Sequence, residues 1–548
     1  MFVNIKYKKT SMKKLQLLLL VAVSITCSIS AQNKVLTISK QILKDKIAGG
    51  WAGKMIGVTY GAPHEFRFQQ KINTDSMKWI PADIKGSIWQ DDIYVQLSFL
   101  MAMDKYGMDA PAVKFQEMLA KAGYPLWCAN MQARKNYFDG IYPPLSGSPK
   151  YSYRADDIDF QIEADYVGFM NPGMIQNIIT TSNKIGHIMN YGDGVYGGIF
   201  LSALYSAAFF ENDINKIIET GLSSIPVQSD YAKIVRDVIK LHQHYPTDWK
   251  AAWAELDAKW GDEDISGAGN SFNIDAKLNG AYIIMGLLYG EGKDYSTMEI
   301  TTRCGQDADC NPSNAMAVIG VIKGFSNLPV EMQNGVKAVG DSIFINTTYT
   351  FNTAVESTYQ YALKMILQNG GKIVGDQITF PLQKFKPASF ESAFPKVVFD
   401  YKQPIFEKEK WTFTGNWNVY KQKSWDGKTE TEQAIYSNKK ADELQLNFKG
   451  TGIALMGNWV NDGGKADIYL DGKIQRSINT YYNYSQQEHR NVCIWHVFQL
   501  QPGTHNLKVI VKGEKNADSL GSNIYITEAI VYKTAPKKSD FYKYSFEK

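Results

Sequence analysis

The chain has 548 residues, of which 44% are hydrophobic, 13% aromatic and 21% charged. That mix excludes a disordered tail, a collagen-like fibre and a disulfide-stapled miniprotein, and the length predicts roughly two to four domains. The formal charge of +4 comes from 59 Lys and Arg against 55 Asp and Glu, but five of those lysines lie in the first 31 residues, which hold no acid. Without them 54 cations face 55 acids, a balance that excludes the electrostatic footprint of a nucleic-acid binder.

Lys13 and Lys14 precede the apolar run Leu17–Val23, and Ser28-Ile29-Ser30-Ala31 supplies small residues before Gln32. A charged start, a short apolar middle and a small-residue exit predict a signal peptide over residues 1–31 and a periplasmic or secreted protein. The run is too short to span a bilayer, so no membrane association is expected after the leader is removed. Four cysteines then stay in the chain, Cys128, Cys304, Cys310 and Cys493. None forms a Cys-x-x-Cys pair, which excludes a zinc ribbon and a thioredoxin-type site.

From about residue 38 apolar residues recur at helical spacing, as in Tyr94–Leu100, Ile199–Tyr205, Ala281–Leu288 and Ala315–Gly320, with Gly and Ala among them. This pattern predicts an all-α domain of closely packed helices over residues 38–385. Pro381, Pro387, Pro395 and Pro404 crowd the joint that follows, read as a linker over residues 386–407. Short alternating runs then take over, Leu444–Phe448, Ala466–Leu470, Leu507–Val511 and Ile524–Thr527, separated by turn signals such as Asp471-Gly472 and Pro502-Gly503. They predict an all-β jelly-roll or sandwich domain over residues 408–534.

Three acidic clusters stand out in the helical part: Gln90-Asp91-Asp92, Gln306-Asp307-Ala308-Asp309, and Glu163-Ala164-Asp165. Residues two apart on a helix diverge, so Asp307 and Asp309 converge only on a loop or at a helix start. Asn311 as a cap and Pro312 at the first helical position would put them there. Paired carboxylates so held suit a hard cation such as Mg²⁺ or Mn²⁺; a plain solvated helix start is the alternative. Glu163 and Asp165 read either as an acid–base pair or as a solvated loop. Tyr191-Gly192-Asp193-Gly194-Val195-Tyr196-Gly197-Gly198 opens a helix. Its small residues serve either a substrate cradle formed by Asp193, Gly194 and Tyr196, with backbone amides toward a phosphate and Asp193, which would repel phosphate, toward a sugar hydroxyl, or close helix packing. His187, His242 and His244 have no partner in sequence that suggests a triad and read as structural or exposed.

Asp45–Gly57 with Gly61-Ala62-Pro63-His64-Glu65, then Trp89-Gln90-Asp91-Asp92, then Gly305-Gln306-Asp307-Ala308-Asp309, resemble in order and separation the three motifs of the ADP-ribosylglycohydrolase family. The resemblance covers about residues 40–330. It implies an all-α fold with one or two Mg²⁺ ions, Mn²⁺ being an alternative, held by Asp91, Asp92, Asp307 and Asp309 with the carbonyl of Gln90. It implies Glu65, Asp92 and Asp307 as catalytic residues, Glu65 gating the cleft or assisting water. The implied activity is hydrolysis of a glycosidic bond at an ADP-ribosyl or related ribosyl or furanosyl group of a small-molecule or glycan substrate. Departures from the family pattern are Gln90, Ile93 and Cys310, a soft thiol where the family has a threonine. The tail resembles galactose-binding-like modules. Its Trp459, Tyr481, Tyr482, Tyr484 and Trp495 are candidates either for stacking on sugars or for filling the core and the domain contact. The alternative function is a non-catalytic carbohydrate-binding protein with a degenerate metal site.

Overall fold

The computed structural model describes residues 1, 34–261, 265–267, 269–423 and 428–534, so the expected signal peptide lies outside the described residues. The first strand, β1 (Val35–Ser39), leads into α1 (Lys40–Gly61), whose N-terminus is capped by Ser39 accepting from Ile42 N. The helices that build the site follow: α2 (Asp91–Tyr106), α3 (Cys128–Phe138), α4 (Asp159–Glu163), α5 (Asp165–Phe169), α6 (Asp193–Ala208), α7 (Ala276–Tyr289) and α8 (Cys310–Lys323).

The organising contact is between α1 and α8. Gly49, Gly53, Gly57 and Gly61 recur every four residues and so share one face of α1. A Cβ at these positions would meet Gly320 O, Met316 O, Pro312 O and Ala308 O at 2.0 to 2.2 Å. Backbone therefore packs on backbone along both helices. α8 starts at Cys310, two residues before Pro312, so Asp309 itself occupies the cap position in place of Asn311. Asn311 instead donates to Asn279 Oδ1 on α7 at 2.9 Å.

The helical domain is closed by a small antiparallel sheet in the order β1–β3–β2, from β2 (Lys372–Val374) and β3 (Gln377–Pro381). Part of the segment read as linker is strand: β4 (Val397–Pro404) pairs antiparallel with the last strand, β14 (Ile524–Thr534). Pro395 and Pro404 flank or end this edge strand, where a missing N–H costs no ladder bond.

The remainder is a two-sheet antiparallel β-domain. One sheet runs β11–β10–β13–β8–β5, from β5 (Trp411–Thr414), β8 (Glu443–Gly450), β10 (Gly464–Leu470), β11 (Lys473–Asn479) and β13 (Gly503–Lys515). The other runs β12–β9–β14–β7–β6, from β6 (Asn418–Lys423), β7 (Glu430–Ser437), β9 (Gly452–Trp459) and β12 (His489–Val497). Alternation along β10, with Ala466, Ile468 and Leu470 buried, gives the first sheet an inner face, while β9 of the second is buried along its whole length.

The two domains share a core. Tyr484 stacks on Phe138 of α3, centroids 3.8 Å apart, Arg134 donates to Ser485 Oγ at 2.9 Å, and Leu126 N donates to Gln487 Oε1 at 3.1 Å. Trp459, Tyr481, Tyr482 and Trp495 are buried. The aromatic side chains offered as sugar platforms thus fill the core and the domain contact. Among the described residues, no helix is long and apolar enough to cross a membrane.

Candidate metal centre and active site

Two turns are strapped together to make the site. Phe66 N donates to Gln306 O at 2.9 Å and Gln306 N returns a bond to Phe68 O at 3.0 Å. The Gln306 side chain accepts from Asn273 N and donates to Ser271 O. Phe66 and Gln306 both have positive φ, 51° and 54°, in the left-handed region that non-glycine residues rarely adopt and that clusters at functional sites. Gly305, at φ +85°, lies so close to Phe68 O that no side chain fits. This distortion turns Glu65 and Asp307, the neighbours of the two strained residues, toward one another.

The result is two overlapping groups of ligand atoms. Glu65, Asp307 and Asp309 bring carboxylate oxygens within 4.8 Å of one another, and so do Asp92, Asp309 and the Cys310 thiol. Asp309 belongs to both. Asp91 and Asp92 are the first two residues of α2, behind the Gln90 cap, whose side chain makes no capping bond. Asp92, Asp307 and Asp309 are almost fully buried, and their Oδ1 atoms have no hydrogen-bond partner among the described residues. Buried polar atoms are ordinarily bonded. Asp92 Oδ1 has an ammonium near it, described below, whereas Asp307 and Asp309 each keep a buried oxygen without a partner beside Glu65, an oxygen-rich donor set that fits a hard cation such as Mg²⁺ or Mn²⁺.

Protonation follows from crowding. Burial, then the charges of Asp309 and Asp92, push the Glu65 carboxyl up to about 8 although Glu65 sits at the exposed rim. Burial, then Asp92, Glu65 and Asp159, push Asp91 up to about 7. Asp307 rises to about 8, chiefly by burial, and Asp309 goes well above the carboxylate range by burial and by Asp307.

Sequence reasoning missed the cation that is present. Lys54 of α1, fully buried, lies 2.9 Å from Asp165 Oδ2 and 3.5 Å from Asp92 Oδ1. Burial pulls its pKa down, but Asp165 and Asp92 outweigh that and hold it above the usual lysine value. The signal was a lone charge in the buried stretch Gly49–Gly61, which demands a counter-ion.

Asp165, offered as an acid–base or substrate residue, is a buried partner instead. Besides Lys54 it accepts from Gln96 Nε2 at 3.0 Å and Asn314 Nδ2 at 3.1 Å. Glu163 is also fully buried rather than on a solvated loop; Asn130 Nδ2 donates to its Oε1, and burial, then Asp159, raise its pKa well above normal. Asp159, another residue missed, accepts from the N–H groups of Ala129 and Asn130 at the start of α3. Burial raises it to about 6.

The glycine-rich segment resolves to packing. A Cβ at Gly194 would lie 2.7 Å from Ala155 O, and one at Gly197 would lie 2.5 Å from Gln161 Oε1. Asp193 accepts from Tyr231 N at 3.1 Å, and the Tyr196 hydroxyl donates to Ser389 O at 2.8 Å. Asp193 and Tyr196 thus hold α6 to a neighbouring helix and to the connecting segment, and Gly194 packs against Ala155. His187 belongs to the same joint, with Nε2 2.9 Å from Glu391 Oε2.

The arrangement of motifs and helices defines a class. The model of the ADP-ribosylglycohydrolase family matches residues 39–356, more than half of the chain, and the chain belongs to that family. Membership points to a glycohydrolase, in a family that is typically metal-dependent. A solved structure described as an ADP-ribosylglycohydrolase-related protein complex is 12% identical, with 59% of this chain and 99% of that chain covered and a TM-score of 0.39. The CBM36-1 domain of a multidomain xylanase from the hindgut metagenome of Trinervitermes trinervoides is 12% identical over 25% of this chain and 98% of that one, TM-score 0.16. A CBM36 carbohydrate-binding module in complex with calcium and xylotriose is 13% identical over 24% of this chain and 100% of that one, TM-score 0.16. The chain matches no curated protein.

Proposed function

We propose that the protein is an exported, cation-dependent glycoside hydrolase that cleaves at an ADP-ribosyl or related ribosyl or furanosyl group. The observation that carries this reading is the meeting of Glu65, Asp92, Asp307 and Asp309, from three distant segments, with orphaned buried oxygens among them. A divalent cation bound there would supply Lewis acidity, lowering the pKa of a water and fixing sugar hydroxyls.

The chain's own groups divide the remaining work. Asp307 and Asp309 are anchored on the strapped loop and present oxygens without rotamer search. Glu65, at the exposed rim, and Asp91, at the start of α2, are the carboxyls beside the buried pair, each raised above the usual carboxylate range by burial and by acidic neighbours while no cation is bound. Of the two, Glu65 is the better placed to meet a substrate arriving from solvent. Export is supported by the leader pattern and directs the choice of substrate toward ADP-ribose-containing debris, nucleoside-like ribosides or glycan furanosides.

The test is incubation with ADP-ribosyl-arginine and a panel of ribosides and furanosides, with and without EDTA. Sugar release that EDTA abolishes and Mg²⁺ or Mn²⁺ restores is the expected result. No release from any substrate, or release indifferent to EDTA, would overturn the reading.

A further inference from the structure

Two buried groups lie against the Asp92 carboxylate, and they differ in kind from those around Asp307. Asp92 Oδ1 faces the Lys54 ammonium at 3.5 Å, and Asp92 Oδ2 accepts from Cys310 Sγ at 3.2 Å. Lys54 is held in place from its other side by Asp165, itself fixed by Gln96 and Asn314. All of these side chains are at most 5% exposed, so no water screens the ammonium. The second ligand group, Asp92–Asp309–Cys310, therefore has a permanent positive charge beside one of its carboxylates and a thiol as its third donor. The first group, Glu65–Asp307–Asp309, is all oxygen, and no ammonium lies against it in an ion pair among the described residues.

We propose that the Lys54 ammonium is a built-in cation that takes over the charge neutralisation of Asp92, so that the chain binds one divalent cation, on Glu65, Asp307 and Asp309, and not two. The inference rests on the cation-dependent reading above and fixes its stoichiometry. A dication at Asp92–Asp309–Cys310 would have to sit against a like charge that cannot move away, because Asp165 holds it in a closed pocket. It would also exchange a hard oxygen donor for a soft thiol, unfavourable for Mg²⁺ and Mn²⁺. Affinity at that position is expected to be weaker than at the first by roughly 100-fold or more.

Mn²⁺ is the probe, titrated into the EDTA-stripped full-length protein by calorimetry, with metal content measured after gel filtration and the electron paramagnetic resonance spectrum recorded. The expected result is one tightly bound Mn²⁺ per chain with the hyperfine pattern of an isolated ion. Two tightly bound ions, or the spectrum of a spin-coupled pair, would overturn the inference and leave the hydrolase reading standing. No bound Mn²⁺ would overturn both. Lys54→Gln is expected to admit a second ion coupled to the first; a variant that folds and still binds one would overturn the role of Lys54. Should Lys54→Gln fail to fold, the double variant Lys54→Gln with Asp165→Asn spares Asp165 the loss of its partner, leaves Asp92 as the carboxylate open to a second ion and is read in the same way.

Discussion

Gly57→Ala tests the claim that backbone-on-backbone packing of α1 against α8 holds the site together. The added Cβ would lie 2.2 Å from Pro312 O and 2.4 Å from Pro312 C, whereas ordinary contact begins at 3.4 Å. The helices would have to part by about 1.2 Å, and the atoms in the way are backbone, with no rotamer to yield. Gly53 is equally close to Met316 of α8 and Gly61 to Ala308 just before it, so the strain cannot be passed one turn along. Alanine in a helix is favoured over glycine by about 1 kcal/mol, while overpacking costs about 1–3 kcal/mol and sits at the upper end against backbone. The net expectation is a loss of about 2 kcal/mol, read as a lowered urea midpoint by circular dichroism. Pro312 lies three residues beyond Asp309, so the same displacement pulls Asp309 from Glu65. Misplacement by about 1 Å lowers kcat/KM by roughly 100-fold. Gly86→Ala is the control, since the nearest atom to its added Cβ is Thr59 Cγ2 at 3.7 Å, and it should stay within about 0.5 kcal/mol of the parent. A Gly57→Ala protein with the parent's urea midpoint and turnover would refute the reasoning.

Asp309→Asn should separate folding from function: it weakens Mn²⁺ binding beyond the roughly 100-fold that loss of even an outer partner produces. It should also raise the thermal midpoint in EDTA, because a carboxyl is removed from a cluster that repels itself; retained binding in calorimetry would contradict the ligand assignment. His187 makes stability depend on pH. Burial lowers its pKa, but the bonds to Glu391 and to Asn183 O outweigh this and leave it above the ordinary 6.5. Its contribution is therefore complete below about 6.5 and is lost as pH rises through the elevated folded value. The urea midpoint of the parent should fall between about pH 6 and about pH 8.5 by more than that of His187→Gln, and parallel falls would show that the pair contributes nothing.

How much of this was legible in the sequence depended on whether the deciding partner was local. The carboxylates of the site could be found because each pair is contiguous or nearly so, Asp91-Asp92 and Asp307-x-Asp309, and because their order matched a family pattern. The exact start of α8 could not, since Asn311 is drawn to Asn279 on another helix and leaves Asp309 at the cap. The glycines of Tyr191–Gly198 fit a cradle and a packed helix equally well from sequence, and only Ala155, Gln161 and Phe160 lying against them decide for packing. Likewise Trp459, Tyr482 and Trp495 fit a sugar platform and a packed core equally well from sequence, and their burial decides for the core. Lys54 is the instructive miss. A lysine in an apolar helix announces a buried partner, yet its partners, Asp92 and Asp165, come from two other helices and nothing near Lys54 in the chain names them.

The appended β-domain enters the same account through α3. The start of α3 gives its N–H groups to Asp159 and the side chain of Asn130 to Glu163, so this end fixes two buried acids whose charges also act on one another, Asp159 pushing up the pKa of Asp91. Further along, Arg134 and Phe138 are held by Ser485 and Tyr484 of the sandwich. A helix fixed at one end by acids and along its body by another domain cannot shift without disturbing both. The sandwich and the buried acids thus grip the same helix, as the glycine face of α1 and the backbone of α8 grip each other. Carboxylates that repel one another in the absence of a cation need that rigidity, because a looser scaffold would relieve the repulsion by letting them spread apart.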